Sequence, residues 1–393
     1  MNPDILNTEI QEFIIQNLNT DIPALLLKHK AFKGVAMREL AEQIESKRRI
    51  KDKLPTWFNN NRIYYPSSKN LEQSSSEITA RYKSGLISGK TLADLTGGFG
   101  VDACHFSRSF DSVIYCEIDP ALAAITAHNF KVLGAKNIRV RTTDGMRILP
   151  LPDVDPEWLY IDPSRRHESK GRVFRLKDCK PDVVAHMEFL LKQADHLLIK
   201  LSPMLDLTSV INEIKNIKAI HIVAVRNEVK ELLLIVEKNF DKDIRIFTRN
   251  FVPDGVQAFD FYYSEEEQAD LKLDNPSKYL YEPNAAIMKS GAFKLIAERF
   301  KLKKLHKHAH LYTSDTPYDF PGRQFVIEDI LPFSDKNKLR VALEGKQANI
   351  SVRHFPMKPD RIKSKFKIKD GGERYLFFTT TVPENRVVLF CRK

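Results

Sequence analysis

Strands and helices alternate through the middle of this chain. The pattern predicts an α/β fold: a doubly wound, mostly parallel sheet, preceded by a helical region and followed by small basic α+β units. Three observations carry the prediction. Five short apolar runs between Thr91 and Leu201 alternate with helical segments, which implies parallel strands joined by right-handed crossovers. Two more runs, 219–225 and 231–237, are separated only by RNEVK, too few residues for a crossover, so they form an antiparallel hairpin at one edge. Positive charge is concentrated late: residues 301–393 hold 20 Lys+Arg against 10 Asp+Glu, whereas the preceding 300 hold 42 against 41.

The elements follow in order. Residues 1–75 read as helical. Thr8 and Gln11 have capping-box spacing before Ile10, Phe13, Ile14 and Leu18, a second helix opens at Asp21 and Pro23, and a third carries Met37, Leu40, Ala41 and Ile44. Its basic tail SKRRIKDK (46–53) reads as a solvated helix end that can also reach a phosphate. The five strands are TLADLT (91–96), SVIYCEI (112–118), NIRVRT (137–142), WLYID (158–162) and HLLIKL (196–201). Residues 244–263 are expected to extend the hairpin edge, and the acidic stretch 264–276 is the linker candidate. Beyond it come a strand at Tyr279–Tyr281, a helix over 284–300, strands at 324–331, 339–343, 348–355, 375–380 and 386–391, and a basic helix over 358–372. The expected parts are 1–75 (helical), 76–263 (the large sheet), 264–330 and 331–393.

The whole is 393 residues long, 42% apolar and 29% charged, a composition that supports a sizeable core and excludes disorder. No run of 18 apolar residues suggests a membrane span, and the N-terminus shows no secretory signal. Cys104, Cys116, Cys179 and Cys391 are widely spaced, as in reduced thiols of a cytoplasmic protein, and indicate neither a disulfide framework nor a zinc site. The net charge of +11 suggests a polyanionic partner, although a well-hydrated face would also account for it.

Site-bearing residues fall at strand ends. DLTGGFGVDA (94–103) follows the first strand, where glycines let a backbone approach a nucleotide; Gly98, Gly100 and Ala103 also satisfy the dinucleotide pattern, and tight packing is a further reading. Glu117 ends the second strand, where a carboxylate can accept both ribose hydroxyls. Asp144 follows the third, at a height suited to an adenine amino group, and DPSRR (162–166) ends the fourth. In a doubly wound sheet these ends open onto one crevice. The candidate cofactor contacts are Asp94, Thr96, Gly97, Gly98, Gly100, Asp102, Glu117, Ile118, Asp144 and Gly145, with Gln73 and Ser75 placed to close over the ligand or simply to open a helix.

These residues resemble the class I S-adenosylmethionine-dependent methyltransferases over roughly 70–240, and the edge hairpin is what separates that family's seven-stranded sheet from the nicotinamide-binding fold. The resemblance implies S-adenosyl-L-methionine as cofactor, with the glycine turn around its methionine and ribose, Glu117 on the ribose and Asp144 on the adenine. In many relatives that methylate amino groups, a polar residue, two prolines and an aromatic end the fourth strand. Asp162 and Pro163 keep half of that motif, while Ser164 and Arg165 depart from it. Asp162 is the candidate for orienting the acceptor, with Arg165 steering or stacking the substrate. The wider pattern LEQSSSEITARYK (71–83), DLTGGFG, DPSRR, LIKLSP (198–203), VKELLL (229–234) and LYEPN (280–284) resembles a bacterial methyltransferase group with ferredoxin-like and THUMP-like C-terminal domains. THUMP domains are associated with RNA-modifying enzymes, so the resemblance implies an RNA substrate.

Arg166, Lys170, Arg172 and Arg175 follow the motif as a basic loop suited to phosphate contact, and Lys363, Lys365 and Lys367 supply a second basic element. HKHAH (306–310) reads as a polar face rather than a metal site, and Trp57, Tyr64 and Tyr65 as packing. The expectation is methyl transfer to a base nitrogen of ribosomal or transfer RNA. Alternatives are a protein or small-molecule acceptor, a non-catalytic RNA-binding factor that keeps the pocket, and a nicotinamide-dependent reductase.

Overall fold

The computed structural model describes residues 1–28, 30–151, 153–165 and 176–393, with Arg165 described by its backbone alone. The chain divides into two compact units, Met1–Ile217 with Leu234–Phe240, and Lys218–Leu233 with Asp241–Lys393.

The first unit begins with helices α1 (Thr8–Gln16), α2 (Ile22–Lys28), α3 (Met37–Arg49), α4 (Pro55–Phe58), α5 (Ser68–Gln73) and α6 (Glu77–Ser84). The Thr8–Gln11 capping box does not form. Asn7 is the N-cap, with no side-chain bond, because Gln11 Nε2 turns back to donate to the Ile5 carbonyl at 2.7 Å. The basic tail of α3 is engaged internally: Arg48 donates to the carbonyls of Leu18 and Thr20, Arg49 pairs with Glu72 at 2.8 Å, and Lys47 is buried beside Asn61. Trp57, Tyr64 and Tyr65 are buried, with the Tyr65 hydroxyl donating to the Trp57 carbonyl, so they pack.

Strands β1 (Gly89–Asp94), β2 (Phe110–Cys116), β3 (Ile138–Arg141), β4 (Trp158–Ile161) and β5 (His196–Leu201) alternate with helices α7 (Val101–Phe106), α8 (Pro120–Val132), α9 (Gly145–Ile148) and α10 (Val183–Gln193); α11 (Leu207–Glu213) follows β5. All four pairings among the five strands are parallel, with Leu92 opposite both Val113 and Trp158. Leu92, Ala93, Val113, Leu159, Ile161, Leu197 and Ile199 are fully buried, as a sheet covered on both faces requires.

The expected hairpin is β6 (Ile217–Val225) and β7 (Glu228–Glu237), joined by Arg226 and Asn227, both at positive φ (52° and 63°), the geometry of a tight two-residue hairpin turn. Strands β8 (Arg245–Val252), parallel to β6, and β9 (Gly255–Tyr262), antiparallel to β8, extend the sheet at that edge. Strand order is β9-β8-β6-β7-β5-β4-β1-β2-β3, nine strands where the resemblance implied seven.

The remainder holds helices α12 (Tyr263–Gln268), α13 (Ala285–Ser290), α14 (Leu295–Arg299), α15 (Lys336–Leu343) and α16 (Pro359–Phe366). Its sheet has strands β10 (Tyr279–Pro283), β11 (Lys303–Lys304), β12 (Tyr312–Ser314), β13 (Gly322–Pro332), β14 (Asn349–Arg353), β15 (Arg374–Thr381) and β16 (Asn385–Arg392), in the order β11-β12-β10-β13-β16-β15-β14. Alternate residues of β15 fill different cores: Leu376 and Phe378 meet Leu339, Leu343, Ile362 and Phe366, whereas Phe377 meets Leu280, Phe325 and Leu389.

Three expectations fail here. Residues 339–343 belong to helix α15, because Asp335 caps it at the Lys338 amide and buries Leu339 and Leu343 one turn apart. The 284–300 helix breaks at Gly291, which adopts φ +79° and splits it into α13 and α14. The acidic stretch starts as helix α12, its first turn closed by Glu265 accepting from the Tyr262 amide at 2.6 Å.

Candidate active site

The crevice forms at the carboxyl ends of β1, β2 and β4, where side chain and backbone lock neighbouring strands together. The Leu95 amide donates to the Tyr160 carbonyl, the Gly97 amide to the Cys116 carbonyl, and the Asp162 amide to Thr96 Oγ1 at 2.7 Å. The glycine turn is tight by necessity. A Cβ on Gly97 would lie 2.2 Å from Tyr115 Cε2, and one on Gly145 would lie 2.4 Å from the Leu95 carbonyl oxygen. Gly98 and Gly100 have φ of +59° and +72°, which favours glycine.

Carboxylates surround this turn. Asp94 is 1% exposed, with Oδ1 accepting the Thr96 amide at 3.0 Å and Oδ2 without a partner. Burial, with help from Asp102, Asp162 and Glu117, pushes its carboxyl well above the usual aspartate range. Glu117 is half-buried, its Oε2 accepting the Gly98 amide at 2.9 Å and its Oε1 the Asp119 amide at 2.8 Å. That leaves a free lone pair on each oxygen for ligand hydroxyls. Asp144 is exposed and caps α9 through the Met146 amide. Ile118 is 72% exposed beside Glu117, and Gln73 is exposed at the end of α5.

Beneath the turn lies a buried polar cluster. Asp102, on α7, accepts from the Ser75 and Tyr160 hydroxyls, each at 2.7 Å, and Lys83 Nζ lies 3.2 Å from its other oxygen. Lys83 also donates to Ser75 at 3.0 Å. Burial alone would raise the Asp102 carboxyl; Lys83 and Lys200, together with the hydrogen bonds from Ser75 and Tyr160, outweigh it and hold it low. Ser75 is therefore a buried link between the segment before β1 and α7, not an exposed flap residue.

Lys200, on β5, places Nζ 2.5 Å from Asp162 Oδ2. Sequence reasoning missed both Lys83 and Lys200; the signal was a lysine inside each of two otherwise quoted stretches, RYK and LIKLSP. After Asp162 come Pro163, half-buried, and Ser164, exposed, and residues 164–165 pair antiparallel with Lys180 and Cys179. Arg166, Lys170, Arg172 and Arg175 themselves lie outside the described residues, as does the side chain of Arg165.

In the second unit, Lys363 pairs with Asp370 at 2.7 Å, Lys367 with Glu344 at 3.2 Å, and Lys365 lies over the Phe333 ring. HKHAH does not form a continuous face. His306 donates from Nε2 to Glu384 at 3.0 Å, accepts the His308 amide at Nδ1, and stacks on His354 with ring planes 10° apart. His306, His354 and Glu384 offer ligand atoms within 4.8 Å of one another, but parallel stacked rings do not aim two nitrogens at one ion. Glu282 of LYEPN is buried between Arg323 and Arg353, the latter at 2.7 Å, and Asn284 caps α13, so that motif is structural.

The unpaired oxygen of buried Asp94, the glycine turn that admits no Cβ at Gly97 or Gly100, and the surplus of carboxylates fit a cationic nucleoside ligand. Fold and site together define the class as a class I S-adenosylmethionine-dependent methyltransferase, with S-adenosyl-L-methionine as methyl donor. Comparison with known proteins agrees. The chain is 35% identical to a Porphyromonas gingivalis W83 protein provisionally designated a methyltransferase, whose crystal structure matches 100% of this chain and 98% of that one with a TM-score of 0.88. It belongs to the same methyltransferase family. Two Mycobacterium tuberculosis proteins (strains CDC 1551 and H37Rv), described as uncharacterized S-adenosylmethionine-dependent methyltransferases, are 23% identical over 79% of this chain and 82% of their own length. Family models match residues 279–321 as a ferredoxin-like domain and 322–393 as THUMP domain-like. Among the described residues no helix is long and apolar enough to cross a membrane.

Proposed function

We propose that this methyltransferase acts on RNA. The observation that carries the reading is the charge of the C-terminal region, 20 Lys+Arg against 10 Asp+Glu over residues 301–393, a stretch that includes the whole THUMP-like match at 322–393. Lys363 and Lys367 are held in ion pairs with Asp370 and Glu344, but exposed pairs of this kind are worth about 0–1 kcal/mol and yield readily to phosphate. The basic segment 166–175 begins four residues after Asp162 in sequence, and its charge suits contact with the RNA backbone.

Within the crevice, the glycine turn holds the methionine and ribose portions of the donor, Asp94 its ammonium, Glu117 the ribose hydroxyls and Asp144 the adenine amino group. Asp162, fixed through its amide by Thr96, orients the acceptor. The bound donor supplies an electrophilic methyl group; the protein supplies alignment and exclusion of water. The test is RNA binding by the full-length protein across a salt series, together with a nucleoside inventory of ribosomal and transfer RNA with and without the gene. The expected results are an affinity that falls steeply with salt and one methylated nucleoside lost on deletion. Salt-insensitive or absent binding with an unchanged inventory would move the reading to a protein or small-molecule acceptor. Salt-sensitive binding with an unchanged inventory would indicate a non-catalytic RNA-binding factor.

A further inference from the structure

The partner of Asp162 bears on which atom receives the methyl group. Lys200 is 14% exposed and Asp162 34% exposed, and their 2.5 Å contact sits where β4 and β5 end side by side. The Asp162 backbone amide donates to Thr96 Oγ1 at 2.7 Å, which fixes the residue's main chain. An ammonium and a carboxylate are thus held in contact, with the carboxylate partly open to the crevice.

The charge that develops on the acceptor distinguishes two chemistries. A nitrogen acceptor becomes more positive as it takes a methyl cation, so a carboxylate helps and a neighbouring ammonium opposes. A hydroxyl must give up its proton, and its oxygen passes through alkoxide-like charge. The carboxylate then serves as base and the ammonium stabilises the oxygen. Asp162 and Lys200 together suit the second case. The two residues after Asp162 are Pro163 and Ser164, neither aromatic, so neither presents an aromatic face to a base.

Resting on the RNA reading above, we propose that Lys200 is a catalytic residue and that the acceptor is a hydroxyl, the ribose 2′-hydroxyl that internal RNA nucleotides carry and DNA lacks. The oxygen–methyl bond forms as the methyl–sulfur bond of the donor breaks, with its electron pair left on sulfur. The hydroxyl proton passes to the Asp162 carboxylate and then to solvent, while Lys200 stays protonated and holds the oxygen.

The test incubates full-length protein and methyl-tritiated S-adenosylmethionine with total RNA from cells lacking the gene. One portion is digested to nucleosides and another hydrolysed with alkali, which cannot cleave next to a methylated 2′-oxygen. The expected label is in ribose-methylated nucleosides and alkali-resistant dinucleotides. Label confined to base-methylated nucleosides would overturn the hydroxyl assignment and leave the RNA reading intact; no label in RNA would overturn both. Because this arm uses the wild-type protein, it does not depend on any variant folding. Lys200→Met is expected to lower kcat about 10²–10³-fold with unchanged affinity for S-adenosylhomocysteine by titration, and Lys200→Arg to recover part of the loss. Wild-type kcat in Lys200→Met would overturn the catalytic role.

Discussion

Replacing Lys83 with methionine keeps an apolar stem and removes an ammonium that stands, fully buried, 3.2 Å from Asp102 Oδ1. At an effective dielectric of about 20, unit charges at that distance attract by about 5 kcal/mol. Removing one partner of a buried pair costs about 3–5 kcal/mol, because the other charge is stranded. Ser75 and Tyr160 still donate to Asp102, which favours the lower end. Lys83→Met should therefore destabilise the first unit by about 3 kcal/mol, a fall of roughly 10 °C in its thermal midpoint at 2–4 °C per kcal/mol. Adding Asp102→Asn removes the stranded charge and should restore more than half of the loss. Calorimetry of the full-length wild type, both single variants and the double variant completes the cycle. pH supplies an independent sign. Asp102 is held below its unfolded value of 3.8, so its contribution is present above that pH and lost as pH falls through the folded value. The gap between wild type and Lys83→Met should therefore narrow as pH falls, beginning where the stranded carboxyl of the variant, raised by burial, takes up its proton and closing as the wild-type carboxyl follows. A loss under about 1 kcal/mol, or a double variant no more stable than Lys83→Met, would refute the reasoning.

Glu117→Ala should weaken binding of S-adenosylhomocysteine about 10–100-fold, the loss of charged hydrogen bonds worth about 1.5–3 kcal/mol. Asp162→Ala should spare binding and abolish turnover; equal binding loss in both, measured by titration, would remove the division of roles. Gly97→Ala, whose new methyl meets Tyr115 and Cys116, should cost about 1–3 kcal/mol of stability in denaturant melts and weaken cofactor binding with it. The raised Asp94 carboxyl must shed its proton to meet a cationic ligand, so affinity should fall as pH falls, with proton release visible when calorimetry is repeated in different buffers. Asp94→Asn should abolish that release.

The parts legible in sequence were those with a local signature. Buried parallel strands read as unbroken apolar runs, RNEVK was too short for anything but a hairpin, and the glycine turn stood out because Gly98 and Gly100 need positive φ. What failed locally did so for identifiable reasons. The run 339–343 holds one strand-favouring residue, Val341, among helix formers, and Asp335 caps it as a helix; Thr8 lost its capping role when Gln11 found the Ile5 carbonyl instead. Long-range pairings leave no such signature. Lys200 meets Asp162 across 38 residues and His306 meets Glu384 across 78. Within its apolar run, Lys200 resembles any long side chain threading its charge to a surface.

That blind spot affects chemistry more than architecture. Asp162–Pro163 is the proposed meeting point of acceptor and donor, because a doubly wound sheet brings its strand ends to one crevice. The same dipeptide does not say whether the acceptor is nitrogen or oxygen, since one carboxylate can hold an amine or take a proton from a hydroxyl. What separates the two is the charge next to the carboxylate, and here it comes from β5, a strand chosen by topology rather than by sequence distance. The half-kept motif at 162–165 is thus better read together with the lysine beside it, and the pair points to oxygen where the dipeptide by itself suggested nitrogen.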